Sequence, residues 1–163
     1  MATYVINGYN GADLLIEGGG SSISVGTELM LDPNWGATAD KRIFTITDDD
    51  GTFSGDTFNN EVGNDSNQTA TVTEADGSTV VGSGRVYIET SVVLEGPGGS
   101  VINMYIVEIG GVVVGEITDA PLQPGVTYKV TNIVDVSDSN DPDYVALHSA
   151  SYEPTAASTL AGG

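Results

Sequence analysis

At 163 residues the chain is long enough for one domain, which would bury about 70% of its unfolded surface. Its 23 Asp and Glu against 4 Lys and Arg leave a net charge of −19, which repels phosphate backbones and anionic headgroups and speaks against nucleic-acid and membrane-surface partners. Hydrophobic residues make up 39% of the chain and fall in β-type runs, which argues against disorder; without Cys, no disulfide or thiolate metal site can contribute.

Helix signals are nearly absent. The 22 glycines and many Val, Ile, Thr and Tyr residues predict short strands separated by turns. In chain order these are Thr3–Asn7, Leu14–Glu17, Ser22–Val25, Glu28–Leu31, Arg42–Thr47, Thr69–Glu74, Thr79–Val81, Arg85–Leu94, Ser100–Ile109, Val112–Ile117, Thr127–Val136 and Asp143–Tyr152. Asp76-Gly77 and Gly110-Gly111 each read as a two-residue hairpin turn, and Glu95–Gly99 as a longer one. The expected fold is all-β, an antiparallel sandwich (immunoglobulin/fibronectin-like or jelly-roll-like) with long acidic loops. Leu122-Gln-Pro-Gly-Val-Thr-Tyr128 has the spacing of a tyrosine corner, giving Tyr128, Pro124 and Gly125 structural roles. Residues 1–153 are expected to form the domain, and the uncharged 154–163 to be a tail or linker.

The acids are not evenly spread. Thr47–Asp65 holds Asp48, Asp49, Asp50, Asp56, Glu61 and Asp65 among Asn, Gly and small residues. Two like charges about 4 Å apart repel by roughly 4 kcal/mol at an effective dielectric of 20, so such a loop either splays into water or closes on a cation. Oxygen-only donors on a Gly-rich backbone suit Ca²⁺, and Asp48, Asp50, Asp56, Glu61 and Asp65 are the expected ligands of a site without EF-hand spacing. A second group, Asp138, Asp141 and Asp143, is a further candidate, although Asn-Asp-Pro-Asp is also an ordinary turn. An acidic surface that simply holds water, as in halophilic or marine proteins, accounts for the scattered acids equally well. It accounts less well for the cluster.

Catalytic equipment is sparse. His148 is the single histidine, on an expected strand, and no nucleophile elbow, phosphate loop or dinucleotide fingerprint occurs. The chain is therefore read as a non-enzyme. No continuous apolar run spans a bilayer and no Sec-type leader is visible, so no membrane insertion is expected.

The segments Ile46–Gly51 and Asn59–Thr69, with Gly84-Arg-Val-Tyr87 and Leu122-Gln-Pro-Gly125, resemble the N-terminal β-domain of large secreted proteins from marine alphaproteobacteria. In those proteins the domain precedes glycine-aspartate calcium repeats (the RTX class) or a Hint domain. The resemblance implies an extracellular or cell-surface, calcium-rich setting and export through a C-terminal signal (type I secretion). The repeats and the Hint-type Cys are absent here, so β-roll formation and autoprocessing do not carry over.

The expected function is thus a secreted, Ca²⁺-stabilised structural or adhesive surface or matrix protein, including a self-assembling, filament-type subunit. The alternative is a polysaccharide-binding module using Trp35 and Tyr9. Assembly as a homo-oligomer is expected through the uncharged Ala2–Ile6 or the tail adding a strand to a neighbour's edge. An ordinary role for residues 2–6, as the first strand of their own sheet, remains the competing expectation.

Overall fold

The computed structural model describes residues 1–20, 22–57, 61–137, 139–148 and 150–153. Among these residues nine strands form one antiparallel sheet: β1 Ala2–Gly8, β2 Leu14–Ile16, β3 Glu28–Leu31, β4 Arg42–Asp48, β5 Thr69–Thr73, β6 Val80–Glu95, β7 Val101–Ile109, β8 Val112–Thr118 and β9 Thr127–Asp135. The order is β1-β4-β5-β6-β9-β3-β2, with β7 paired to both β6 and β8. The all-β, sandwich-like fold is therefore present. No helix among the described residues is long and apolar enough to cross a membrane.

The sheet bends around β6. Residues 80–85 pair with β5, and residues 86–95 pair with β7 and partly with β9. Between Ile88 and Thr90 the β6–β7 register slips by one residue, leaving Glu89 as a bulge. A bulge reverses which face later side chains occupy. Val86 and Ile88 accordingly enter a first core with Ile6, Phe44 and Val107, whereas Val92 and Leu94 enter a second with Trp35, Met104 and Tyr128.

Among the described residues the branched sheet does not close into a barrel, but two of its three edges touch, where the chain leaves β1 and at β8. Tyr9 and Glu116 exchange N–H···O bonds of 2.7 and 2.9 Å. Glycine makes this crossing possible. A Cβ at Gly8 would lie 2.4 Å from the Glu116 carbonyl oxygen, and one at Gly115, where φ is +147°, would lie 2.6 Å from that of Tyr9.

Several expected elements are redrawn. Thr79–Val81 and Arg85–Leu94 are one strand, because Gly82-Ser-Gly84 continues the ladder with β5 instead of turning. Ser22–Val25 is not a strand. Thr27 N–H donates to the Ser24 carbonyl and Ser24 N–H to Thr27 Oγ1, a local turn that competes with a ladder. Asp143–Tyr152 is not a strand either. Tyr144–Ala146 is a 3₁₀ turn, and Tyr144, Leu147 and Ala150 are buried at a spacing of three, not two. His148 is thus exposed on a loop, not on a strand.

Gly110-Gly111 is the expected two-residue turn, with φ of +60° and +82° between paired Ile109 and Val112. Asp76-Gly77 instead sits within a longer loop closed by Glu74 and Thr79; the Thr79 hydroxyl and the Thr79 and Ser78 N–H groups donate to the Asp76 carboxylate and hold its pKa down to about 2. The tyrosine corner is present. Gln123 N–H donates to Tyr128 Oη at 2.9 Å, and Gly125, at φ +79°, donates to the Leu31 carbonyl across from Pro33. Pro124 precedes that glycine in the turn. The tail 154–163 lies outside the described residues.

Two substitutions test this frame. Gly8→Ala forces a methyl into backbone and the Phe44 ring, and should cost about 3 kcal/mol, measured by urea unfolding. Tyr128→Phe removes one hydrogen bond to backbone and should cost about 1–2 kcal/mol.

Candidate metal site

The site begins with strand parity. In β4, Phe44, Ile46 and Asp48 alternate onto the buried face, so the pleat carries a carboxylate inward behind two core side chains. Asp48 is fully buried. A buried charge requires hydrogen-bond partners, and Asp48 has several. Tyr144 Oη donates to Oδ2 at 2.6 Å, while the Asp49 and Asp50 N–H groups donate to Oδ1 at 2.7 and 3.4 Å.

Tyr144 is itself fixed on three sides. Its ring stacks on Tyr4 at 4.2 Å and on Phe53 at 5.2 Å, and its N–H donates to the Gly51 carbonyl. Gln68, also fully buried, accepts from Ser54 N–H and lies 3.2 Å from Tyr144 Oη. Its amide nitrogen donates to the carbonyls of Ser54 and Val86. Every polar atom of this inner support is therefore engaged.

Above Asp48 the chain turns outward. Asp49 and Asp50 are exposed and Asp65 is half-buried. Asp65 accepts from Asn67 N–H, and the Asn67 side chain donates to Asp49 at 2.9 Å, tying the two loops together. One carboxylate oxygen from each of Asp48, Asp49, Asp50 and Asp65 lies within 4.8 Å of all the others. This group could hold a metal ion.

Its electrostatics fit that role. Burial first, and then the hydrogen bond and charge of Asp65, push Asp48 up to about 7, against the opposing pull of Tyr144 and Asp49 N–H. Tyr144 is raised too, by burial and then by Asp48. A cation at the group would favour the ionised form of Asp48 and oppose that rise.

The expected ligands thus divide. Asp48, Asp50 and Asp65 come together, joined by Asp49. Asp56 and Glu61 stand in a separate group: Glu61 N–H donates to Asp56, and Tyr87 Oη donates to Glu108 at 2.8 Å with Glu61 at 3.4 Å. Glu89, in the β6 bulge, adjoins this second group and is pushed up to about 7 by burial and by the charges of Glu108, Asp56 and Glu61. Asp138 lies outside the described residues. Asp143 stands at the N-terminal end of the 3₁₀ turn without a side-chain capping bond and bridges through its backbone to Thr52, so its loop runs beside Gly51–Phe53; Asp141 precedes it, half-buried. Tyr144 and Gln68 were not singled out from the sequence. The available signal was Asp48 itself, an acid in phase with Phe44 and Ile46.

The two aromatics considered for sugar contact are corrected by their burial. Tyr9 and Trp35 are 0% and 1% exposed, packed on each other at 5.2 Å, and Tyr9 Oη accepts from Leu122 N–H. Neither offers a ring to a ligand at the surface.

The pH dependence follows from the raised carboxyls. Between about pH 4 and 7 the metal-free folded state binds protons at Asp48, Glu89 and Glu116 more tightly than the unfolded chain does, so stability falls as pH rises through that window. With chelator present, Tm should drop from pH 5 to pH 8, and Asp48→Asn should flatten the curve. Tyr144→Phe strips a donor from a buried carboxylate and should cost about 1–3 kcal/mol at pH 8.

Comparison of the chain with protein-family models, with characterised proteins and with solved structures returns no match.

Proposed function

We propose that this chain is a Ca²⁺-stabilised β-sandwich module that acts outside the cell as a structural or adhesive surface or matrix protein. The observation that carries the reading is the four-aspartate group at the end of β4, anchored by a carboxylate that strand parity places in the core. The donors are all oxygen, which favours a hard cation over zinc or copper. Ca²⁺ accepts six to eight oxygens in loose geometry, so four carboxylates leave room for waters and backbone carbonyls. Smaller Mg²⁺ demands stricter octahedral placement, which two independent loops supply less readily.

A cation there would join three parts of the chain. Asp48–Asp50 continue β4, Asp65 leads into β5, and Tyr144 belongs to the C-terminal segment. Such a clamp makes folding conditional on a calcium-rich environment, which suits an exported protein. The net charge of −19 opposes self-association unless cations screen it, so Ca²⁺ also governs assembly in this reading. Ala2–Gly8 pairs along its length with β4, which means that strand donation by residues 2–6 would require it to leave its own sheet.

Adding Ca²⁺ to 100 times its dissociation constant should stabilise the fold by roughly 2.7 kcal/mol, raising Tm by about 5–10 °C. Asp65→Asn and Asp48→Asn should remove most of that rise, whereas Asp119→Asn, distant in the fold, should leave it intact. A Tm indifferent to Ca²⁺ and chelator at moderate salt would overturn the metal clamp. Electron microscopy with and without Ca²⁺ tests assembly separately.

A further inference from the structure

Away from the aspartate group at the end of β4, another carboxylate is buried, with Arg42 and Asp13 as its charged neighbours. Glu116 of β8 is 6% exposed, and its Oε1 has no hydrogen-bond partner among the described residues. Its register partner in β7 is Ile106, so the carboxylate emerges from an apolar face of the sheet. An unsatisfied buried carboxylate oxygen is costly, and native structures seldom leave one without a reason.

Glu116 lines two adjoining cavities. One, of about 660 Å³, lies against Gly11, Leu14, Ile16 and Ile23; the other, of about 350 Å³, lies over Ile106 and Ile133. Both are lined in common by Ile23 and Glu116. These volumes fall in the range of small-molecule sites, which are typically apolar with a few convergent polar groups. The absent side chain at Gly11 gives access to the carboxylate: a Cβ there would lie 2.9 Å from Glu116 Oε2.

We propose that this cavity binds a small organic cation, with an ammonium or amidinium nitrogen on Glu116 and an apolar body against Leu14, Ile16 and Ile23. Arg42 does not fill that role. Its Nη1 donates to the Val114 carbonyl at 3.0 Å and its Nε faces Glu74 at 3.5 Å. A single carboxylate among aliphatic walls cannot supply the oxygen shell of Ca²⁺, and it repels anions. Burial raises Glu116 to about 7, with Arg42 opposing and Asp13 adding to the shift; a bound cation would restore its charge.

The test is an NMR titration of the full chain in about 0.15 M salt, where screening suppresses loose surface binding. The probes are hexylammonium, hexanol and hexanoate. Hexylammonium should shift the amides of Gly11, Ala12, Ile23 and Glu116 saturably, binding at least about 10-fold tighter than hexanol, a difference of about 1.4 kcal/mol. Hexanoate should give no shifts there. Glu116→Gln should bring amine and alcohol to equal affinity. Ile23→Trp, a change at a half-buried residue shared by both cavities, should abolish binding with the carboxylate intact, and it serves as well if Glu116→Gln fails to fold. Equal binding of amine and alcohol to the unaltered protein overturns the proposal. So do amine shifts that centre on Asp48–Asp65 and persist in both variants.

Discussion

The architecture depends on one strand serving two cores. β6 is sixteen residues long, and an unbroken two-residue alternation would send Val86, Ile88, Val92 and Leu94 to the same face. The first core would then hold too many side chains and the second too few. The extra residue at Glu89 resolves this by reversing the faces midway. β7 needs no such device, since Tyr105 and Val107 already differ in parity from Ile102 and Met104. Everything downstream is positioned by that reversal, including the row Thr90, Ile106 and Glu116 beneath the second cavity.

A second theme is how an acidic chain treats carboxylates that it draws out of water, two of them buried (Asp48 and Glu116) and one half-buried (Glu89). Asp48, Glu89 and Glu116 are all pushed up to about 7, and burial is the leading cause each time. Their surroundings differ. Asp48 has hydroxyl and backbone donors and three neighbouring carboxylates, a group that could hold a metal ion. Glu89 faces acids beside an already engaged Tyr87 hydroxyl. Glu116 has aliphatic walls and open volume. One composition thus yields three chemically distinct places, distinguished by what packs around the acid and not by the acid itself.

The aromatic residues show the same dependence on context. Tyr4, Phe53 and Tyr144 stack into a pillar that fixes the hydroxyl on Asp48, and Tyr9 and Tyr128 each hold a backbone N–H near the 122–123 turn. These rings serve as internal scaffolding.

The sequence by itself determined the strand content, the Gly110-Gly111 hairpin and the tyrosine corner, because each rests on local chemistry: side-chain period, left-handed glycine and a fixed Pro-Gly offset. It also placed Asp48, Asp50 and Asp65 in one short acidic stretch, close enough along the chain to meet. What it did not carry was parity across the bulge, the 3₁₀ course of residues 144–146, or the fusion of two short runs into β6. Those depend on which neighbour supplies the missing hydrogen bonds. Separating Asp56 and Glu61 from the aspartate group, and choosing Tyr144 as its support from 96 residues away, was left to tertiary structure. The same holds for Glu116, an unremarkable strand acid until β1, β2 and β8 meet around it.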